Sequence, residues 1–460
     1  MFSKTVYTER RNKLRKLVGE GVLIFPGSSE VPYNYPSNTY PFRQDSNFLY
    51  FFGIDRPGLT GIIDAGNNSD LIIGDDYKPE TIIWQGRQPS IKELAHQAGI
   101  NAVLSYTDFA KTKTKLFNKK KLHWLPAYRM HTMQLLETLL NEKPDVLRKN
   151  ASAELIRAVV KLRSVKSADE INSIQKITDV YAYCLKLAKN YITDGMNEQV
   201  VAGQLEGFIR AHGAVLPFTP ICSVRGEILH NPNYSNKFKK GQLLLIDAGA
   251  ESKKNNYCCD ITRVYPVSGK FTAAQKDIYE TVLKANKEAI RAIKPGVLFK
   301  DLHLKAAAVL TEGLKEMGLI KGNTADAVRE GAHTLFFPHG LGHMMGLDVH
   351  DMEGLGEEFV GYDEKTKRSD KQGLSHLRFA RELKEGFVLT IEPGIYFNPD
   401  LIKQWKAEKK CTSFIQYSKL DPFLTFGGIR IEDNIAVTKS SCINFSKNIH
   451  KEVKEIEKQK

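Results

Sequence analysis

The chain is poor in the residue patterns that mark secreted or thiol-dependent proteins. Its 460 residues include six cysteines, Cys184, Cys222, Cys258, Cys259, Cys411 and Cys442, none in a CxxC or paired spacing. That pattern argues against a disulfide framework or a thiolate metal site, and free thiols in a reducing cytoplasm are the expectation. Long apolar runs are missing as well. Met1-Phe2-Ser3-Lys4-Thr5 runs straight into Glu9-Arg10-Arg11, which offers no apolar stretch for a signal peptide. Nothing approaches the roughly 20 apolar residues of a membrane span. Internal repeats are absent to inspection. The formal charge of +13 is spread along the chain. Its one local run, Lys111, Lys113, Lys115, Lys119, Lys120 and Lys121, has few interleaved aromatics. A solvated basic face is expected there, and no nucleic-acid surface.

What is present is ordinary for a globular protein: 42% hydrophobic and 26% charged residues. The length calls for two domains, placed at 1–165 and 166–460. The first reads as α/β. Gly21-Val22-Leu23-Ile24-Phe25, Thr60-Gly61-Ile62-Ile63-Asp64, Leu71-Ile72-Ile73, Thr81-Ile82-Ile83-Trp84 and Ala102-Val103-Leu104 read as strands, with a helix from Ser90 to Ala98. Their alternation predicts a mostly parallel sheet. Trp84 reads as a core aromatic, with substrate contact as the alternative. From about Asp145 to Ala214 apolar residues recur at helical spacing, and Ser167 with Glu170 forms a helix-start pattern.

The second half carries four acids at or inside apolar strands. Leu243-Leu244-Leu245-Ile246-Asp247 and Tyr257-Cys258-Cys259-Asp260-Ile261-Thr262 read as a hairpin turning in Glu251–Asn256. Phe387-Val388-Leu389-Thr390-Ile391-Glu392 and Gly428-Ile429-Arg430-Ile431-Glu432 read as two further strands. Period-two alternation places Asp247 with Asp260, and Arg430 with Glu432, on shared faces. Desolvating an anion is costly, and one such acid alone is ordinarily an ion-paired structural residue. Four of them beside the cluster His339, His343 and His350 call for a positive centre. Two divalent cations supply +4 against −4, and an oxygen-rich set with one imidazole suits manganese first, then cobalt, zinc or magnesium. Two segments, Met352–Lys384 and Asn398–Phe426, read as polar excursions over the body.

Several segments are then similar to one known family. They are Asp247-Ala248-Gly249, Asp260-Ile261-Thr262-Arg263, His339-Gly340-Leu341-Gly342-His343, Leu347-Asp348-Val349-His350-Asp351, Ile391-Glu392-Pro393-Gly394-Ile395-Tyr396 and Gly428-Ile429-Arg430-Ile431-Glu432-Asp433. They resemble the Xaa-Pro aminopeptidase (aminopeptidase P) and prolidase family, whose catalytic fold, the pita-bread fold, is shared with methionine aminopeptidases and creatinase. Tyr40-Pro41-Phe42-Arg43-Gln44-Asp45-Ser46 with Phe48, Tyr50 and Gly53 resembles the N-terminal domain of the same enzymes, so the resemblance covers nearly the whole chain. It implies an α/β (α+β) protein with an N-terminal mixed α/β domain and a C-terminal pita-bread domain. It implies that Asp247, Asp260, His343, Glu392 and Glu432 bind two metal ions, with Asp260 and Glu432 bridging them and a hydroxide between them as nucleophile. Glu392 would also position or deprotonate that water. His350 would stabilise the intermediate or leaving nitrogen, and His230 and His339 would line the substrate pocket. Arg430 would hold the Asp247 carboxylate. Peptide substrates with proline second and a homo-oligomer, dimer or tetramer, complete what the resemblance implies. One departure stands out: the loop between Asp247 and Asp260 is two residues longer than in the relatives, an even number that keeps each residue on its face.

The choice between aminopeptidase and dipeptidase rests on finer features. Arg378, in Leu377-Arg378-Phe379-Ala380-Arg381, resembles the carboxylate-binding arginine of prolidases, and the long segment between Glu392 and Glu432 is prolidase-like. Gly249-Ala250-Glu251 and Val264–Thr272 are closer to aminopeptidase P. The expectation is an Xaa-Pro aminopeptidase, with the dipeptidase as alternative. A non-catalytic binding protein on the same fold is the rival of another class, weakened by the intact ligand positions.

Overall fold

The computed structural model describes residues 1–458 and divides into two compact units. One is Met1–Arg163 with Gly354–Phe359; the other is Ser164–Glu353 with the chain from Val360 onward.

Five strands form the sheet of the first unit: β1 (Val22–Pro26), β2 (Thr60–Asp64), β3 (Ser69–Ile73), β4 (Ala102–Leu104) and β5 (Leu122–Trp124), in the order β4-β3-β2-β1-β5. The sheet is mixed, which corrects the expectation of a mostly parallel one. β1–β2 and β2–β3 pair antiparallel, and only β1–β5 and β3–β4 are parallel. A tight turn joins β2 to β3, with Asn68 at φ +51°, and such a turn can only return the chain antiparallel. Thr81–Gln85 is a short helix and not a strand. Ile82, Ile83 and Trp84 are exposed, Trp84 at 83%, so Trp84 is not a core aromatic. A short apolar run carries no helical or strand period of its own, and here no neighbouring strand claims it.

Helices dominate the next stretch, as their spacing predicts: Pro144–Lys149, Ala153–Ser164, Ala168–Ala188 and Glu198–Ala211. Ser167 caps the third in a capping box with Glu170, which satisfies two backbone donors that a helix start leaves free.

The second unit is built on β6 (Leu243–Ser252) and β7 (Cys258–Pro266), an antiparallel hairpin pairing Asp247 with Thr262 and Gly249 with Asp260. Directly opposed residues share a face, so both aspartates look the same way. β8 (Val388–Ile391), β9 (Gly394–Tyr396), β10 (Gly428–Arg430) and β11 (Asp433–Val437) complete the frame. β8 pairs with β11 and β9 with β10. The strands expected at 387–392 and 428–432 are present but stop one and two residues sooner: Glu392-Pro393 separates β8 from β9, and Ile431-Glu432 separates β10 from β11. The two glutamates sit where the chain crosses from one ladder to the other. The two excursions are not purely superficial. Tyr362, Leu377 and Ala380 form a buried apolar cluster in the first, and in the second Phe423 stacks on Phe397 while Phe426 meets Phe397 edge-on.

Candidate metal centre

Asp247 and Asp260 project from the same face of the hairpin, and both are nearly buried. A carboxylate oxygen of each, Oδ1, is enclosed without a hydrogen-bond partner. Such atoms are rare in folded proteins and expensive. Asp260 lies close enough to Asp247 to feel its charge. Its Oδ2 lies 3.5 Å from Nε2 of His343, which in turn lies 3.6 Å from Oε1 of Glu392. Donor atoms of Asp260, His343 and Glu432 all lie within 4.8 Å of one another. All five residues named as ligands thus reach one place.

Neighbouring backbone fixes these side chains. His343 N donates to Thr390 Oγ1 at 3.1 Å, Thr390 N to the His343 carbonyl at 3.0 Å, and Glu392 N to the Leu341 carbonyl at 2.8 Å. The segment 341–343 is thereby laid against β8. Gly342 permits this close approach: a Cβ there would stand 2.0 Å from the Thr390 carbonyl oxygen. His343 Nδ1 faces the Met344 carbonyl at 3.0 Å, which assigns the proton to Nδ1 and leaves Nε2 as a donor lone pair aimed at the acids.

Arg430, buried, spends three nitrogens on this site. Nη2 donates to Asp247 Oδ2 at 2.5 Å, Nε to Thr262 Oγ1 at 3.1 Å, and Nη1 to the Tyr396 hydroxyl at 2.9 Å. The Thr262 hydroxyl in turn donates to Glu432 Oε2 at 2.7 Å. The Tyr396 hydroxyl donates to His339 Nε2 at 2.8 Å, and His339 Nδ1 donates to the Gly340 carbonyl at 2.8 Å. The roles of Thr262, Thr390 and Tyr396 were not assigned from sequence. Thr262 and Tyr396 lie inside the motifs quoted above, and Thr390 two residues before Glu392, but a hydroxyl gives no pattern that distinguishes a site partner from an ordinary strand residue.

Electrostatics agree with the missing positive charge. Burial, then the charge of Asp247, raises the Asp260 carboxyl well above the usual range. Burial, then Asp260 and Glu392, does the same to Glu432, and burial raises Glu392. Protein groups alone leave these acids reluctant to ionise, as expected of like charges sharing a desolvated site. The donor set, oxygen-rich with one imidazole, fits divalent cations, and the orphaned oxygens of Asp247 and Asp260 give the fit a structural basis.

The remaining candidates lie around this centre. His350 packs edge-on to His343, with ring centroids 4.2 Å apart. Its Nδ1 lies 2.6 Å from Glu353 Oε2, and Arg378 Nη1 lies 2.6 Å from Glu353 Oε1. Glu353 is a residue that sequence reading missed; it stands among other charged residues in an excursion. His339, 3.9 Å from Glu392, is pushed down to about 3 by burial and then by Arg430, and so is neutral. His230 is exposed at the rim; partial desolvation, then Arg430, lowers it, with His350 and Arg378 adding to the effect.

Comparisons with known proteins agree with this arrangement. The model of metallopeptidase family M24 matches residues 172–439, and that of the aminopeptidase P N-terminal domain matches residues 7–124. A probable Xaa-Pro aminopeptidase of Fusarium vanettenii is 32% identical over 91% of this chain and 87% of its own length. The human Xaa-Pro dipeptidase is 29% identical over 98% of this chain and 90% of its own length. The structure of Escherichia coli aminopeptidase P with the inhibitor Pro-Leu superposes with a TM-score of 0.82 at 26% identity, covering 100% of this chain and 98% of that one. Among the described residues no helix is long and apolar enough to cross a membrane. With an aminopeptidase P N-terminal domain followed by an M24 catalytic domain, this chain belongs to metallopeptidase family M24, in the Xaa-Pro aminopeptidase and prolidase group of hydrolases.

Proposed function

We propose that the chain is a dinuclear Xaa-Pro aminopeptidase, cleaving the bond between an N-terminal residue and a following proline, with residues 166–460 as catalytic domain and 1–165 as N-terminal domain. The observation that carries this reading is the convergence of Asp247, Asp260, His343, Glu392 and Glu432, two of whose buried oxygens have no protein partner. In this reading those five residues would hold two divalent ions, manganese first. Bound there, such ions supply the positive charge that ionises water near neutral pH and polarises a carbonyl.

The chain's own groups do the rest. Glu392 takes the proton of the attacking water. Neutral His339 holds its proton on Nδ1 and receives another hydrogen bond from Tyr396, so it acts as an orienting wall of the pocket. His350, with Nδ1 engaged by Glu353, presents Nε2 to the reacting carbonyl or the leaving proline nitrogen. Arg430 keeps Asp247 ionised and in place. His230 closes the rim. The six cysteines are free thiols, in keeping with a reducing cytoplasm. The assembly is proposed as a homo-oligomer, and nucleic acid is not among the partners.

The dipeptidase alternative draws on Arg378, a cation near the site, and on the human Xaa-Pro dipeptidase among the relatives. Hydrolysis of Gly-Pro compared with Arg-Pro-Pro by manganese-loaded protein separates the two. Cleavage of Arg-Pro-Pro is expected; exclusive cleavage of Gly-Pro overturns the aminopeptidase assignment. Metal analysis after manganese incubation tests the centre itself, and well under one ion per chain refutes it.

A further inference from the structure

Two guanidinium groups act electrostatically on the rim histidine His230, those of Arg430 and Arg378. Arg430 is buried and turned inward on Asp247, Thr262 and Tyr396. Arg378 is different: its side chain is 37% exposed, so a molecule entering from solvent can reach it. It is linked to the centre through two residues, by the sequence of contacts His343, His350, Glu353, Arg378. In an Xaa-Pro dipeptide the free carboxylate is attached to the carbon next to the scissile nitrogen. A cation at this place would attract that carboxylate. In a longer peptide the same position carries a neutral amide.

Glu353 changes the charge of that cation's surroundings. Its Oε1 accepts from Arg378 and its Oε2 from His350, each at 2.6 Å. These hydrogen bonds, that of His350 first, pull its carboxyl down to about 2, so it is ionised at neutral pH. A substrate carboxylate approaching Arg378 therefore meets an anion already seated on the guanidinium.

We propose that Glu353 is a specificity determinant, which by occupying Arg378 weakens binding of the free carboxylate of an Xaa-Pro dipeptide and favours substrates in which proline is followed by another residue. This rests on the Xaa-Pro reading above. Glu353 acts through Arg378 and His350 and is a positioning residue.

The test is steady-state kinetics of the manganese-loaded full chain, wild type and Glu353→Gln, on Gly-Pro, Gly-Pro amide and Arg-Pro-Pro. Glutamine keeps an acceptor for His350 and removes the charge. The expected result is an approximately tenfold rise in kcat/KM for Gly-Pro relative to Gly-Pro amide, carried by a lower KM, the size of one charged hydrogen bond. Any loss from a disturbed His350 affects both substrates and cancels in that ratio. In an Arg378→Gln background the same substitution is expected to leave the ratio unmoved, as a pathway through Arg378 requires. An unchanged ratio in the single variant, or an equal shift without Arg378, overturns the proposal. Wild type that acts on Gly-Pro alone sinks the aminopeptidase assignment, while the variant-to-wild-type KM ratio on Gly-Pro still decides the role of Glu353.

Discussion

Arg430 shows how much one buried side chain can organise. Its three nitrogens fix an aspartate, a threonine and a tyrosine, and through the last two they reach Glu432 and His339. Replacing it leaves Asp247 buried without its cation and three polar atoms without a donor. Arg430→Met is expected to lower metal affinity about 10–100-fold, the usual cost of losing a group that orients a ligand. Titration calorimetry with manganese checks this, and an affinity within twofold of wild type would show that Arg430 does not position Asp247 for metal. Asp260→Asn addresses one of the proposed ligands directly. Turnover on Arg-Pro-Pro is expected to fall at least about a hundredfold, with far-UV circular dichroism unchanged; retained turnover removes Asp260 from the centre.

At the scale of elements, the hairpin β6–β7 and the two broken strand pairs carry the acids, and this much was legible. An apolar run ending in a carboxylate is visible in Leu243–Asp247, because a desolvated anion in such a setting demands an explanation. The faces of Asp247 and Asp260 also followed from strand alternation. The breaks at Glu392-Pro393 and Ile431-Glu432 did not, since a chain changing ladders looks the same locally as one that continues. Thr81–Gln85 failed for the same reason: its apolar residues suggested a strand, but only tertiary neighbours decide whether a short run pairs. Thr262, Thr390 and Tyr396 act through contacts far along the chain, which spacing does not record; Glu353 meets His350 locally, but its second partner, Arg378, is also distant. Gly342 offers a test at this scale. Gly342→Ala places a methyl 2.0 Å from the Thr390 carbonyl and is expected to destabilise the protein by about 1–3 kcal/mol and to weaken metal binding by shifting His343. Thermal unfolding and calorimetry read both; a wild-type melting temperature would mean that the segment yields without cost.

For the whole molecule, the carboxyls of Asp260, Glu392 and Glu432 are raised in the folded state. In the metal-free protein these groups bind more protons folded than unfolded once pH exceeds the ordinary carboxylate range near 4. Their contribution to stability is full below that range and is lost as pH rises towards the folded values. Metal-free protein is therefore expected to melt at a lower temperature at pH 8 than at pH 6. Manganese is expected to raise the melting temperature, and by more at pH 8, because it competes with protons for the same oxygens. A manganese effect equal at both pH values would mean that these carboxyls are not what the ion displaces protons from.

The acids at the ladder crossings have a kinetic meaning too. The five proposed donors are drawn from positions 247 to 432; the β6–β7 hairpin supplies two of them, and no local segment supplies three. Ion capture must wait for pairings that close very long stretches of chain, the slowest class of event in folding. An ion-sensitive dye in a refolding reaction should accordingly lag behind the appearance of helical signal, so that uptake of the cation marks the moment the second unit is finished.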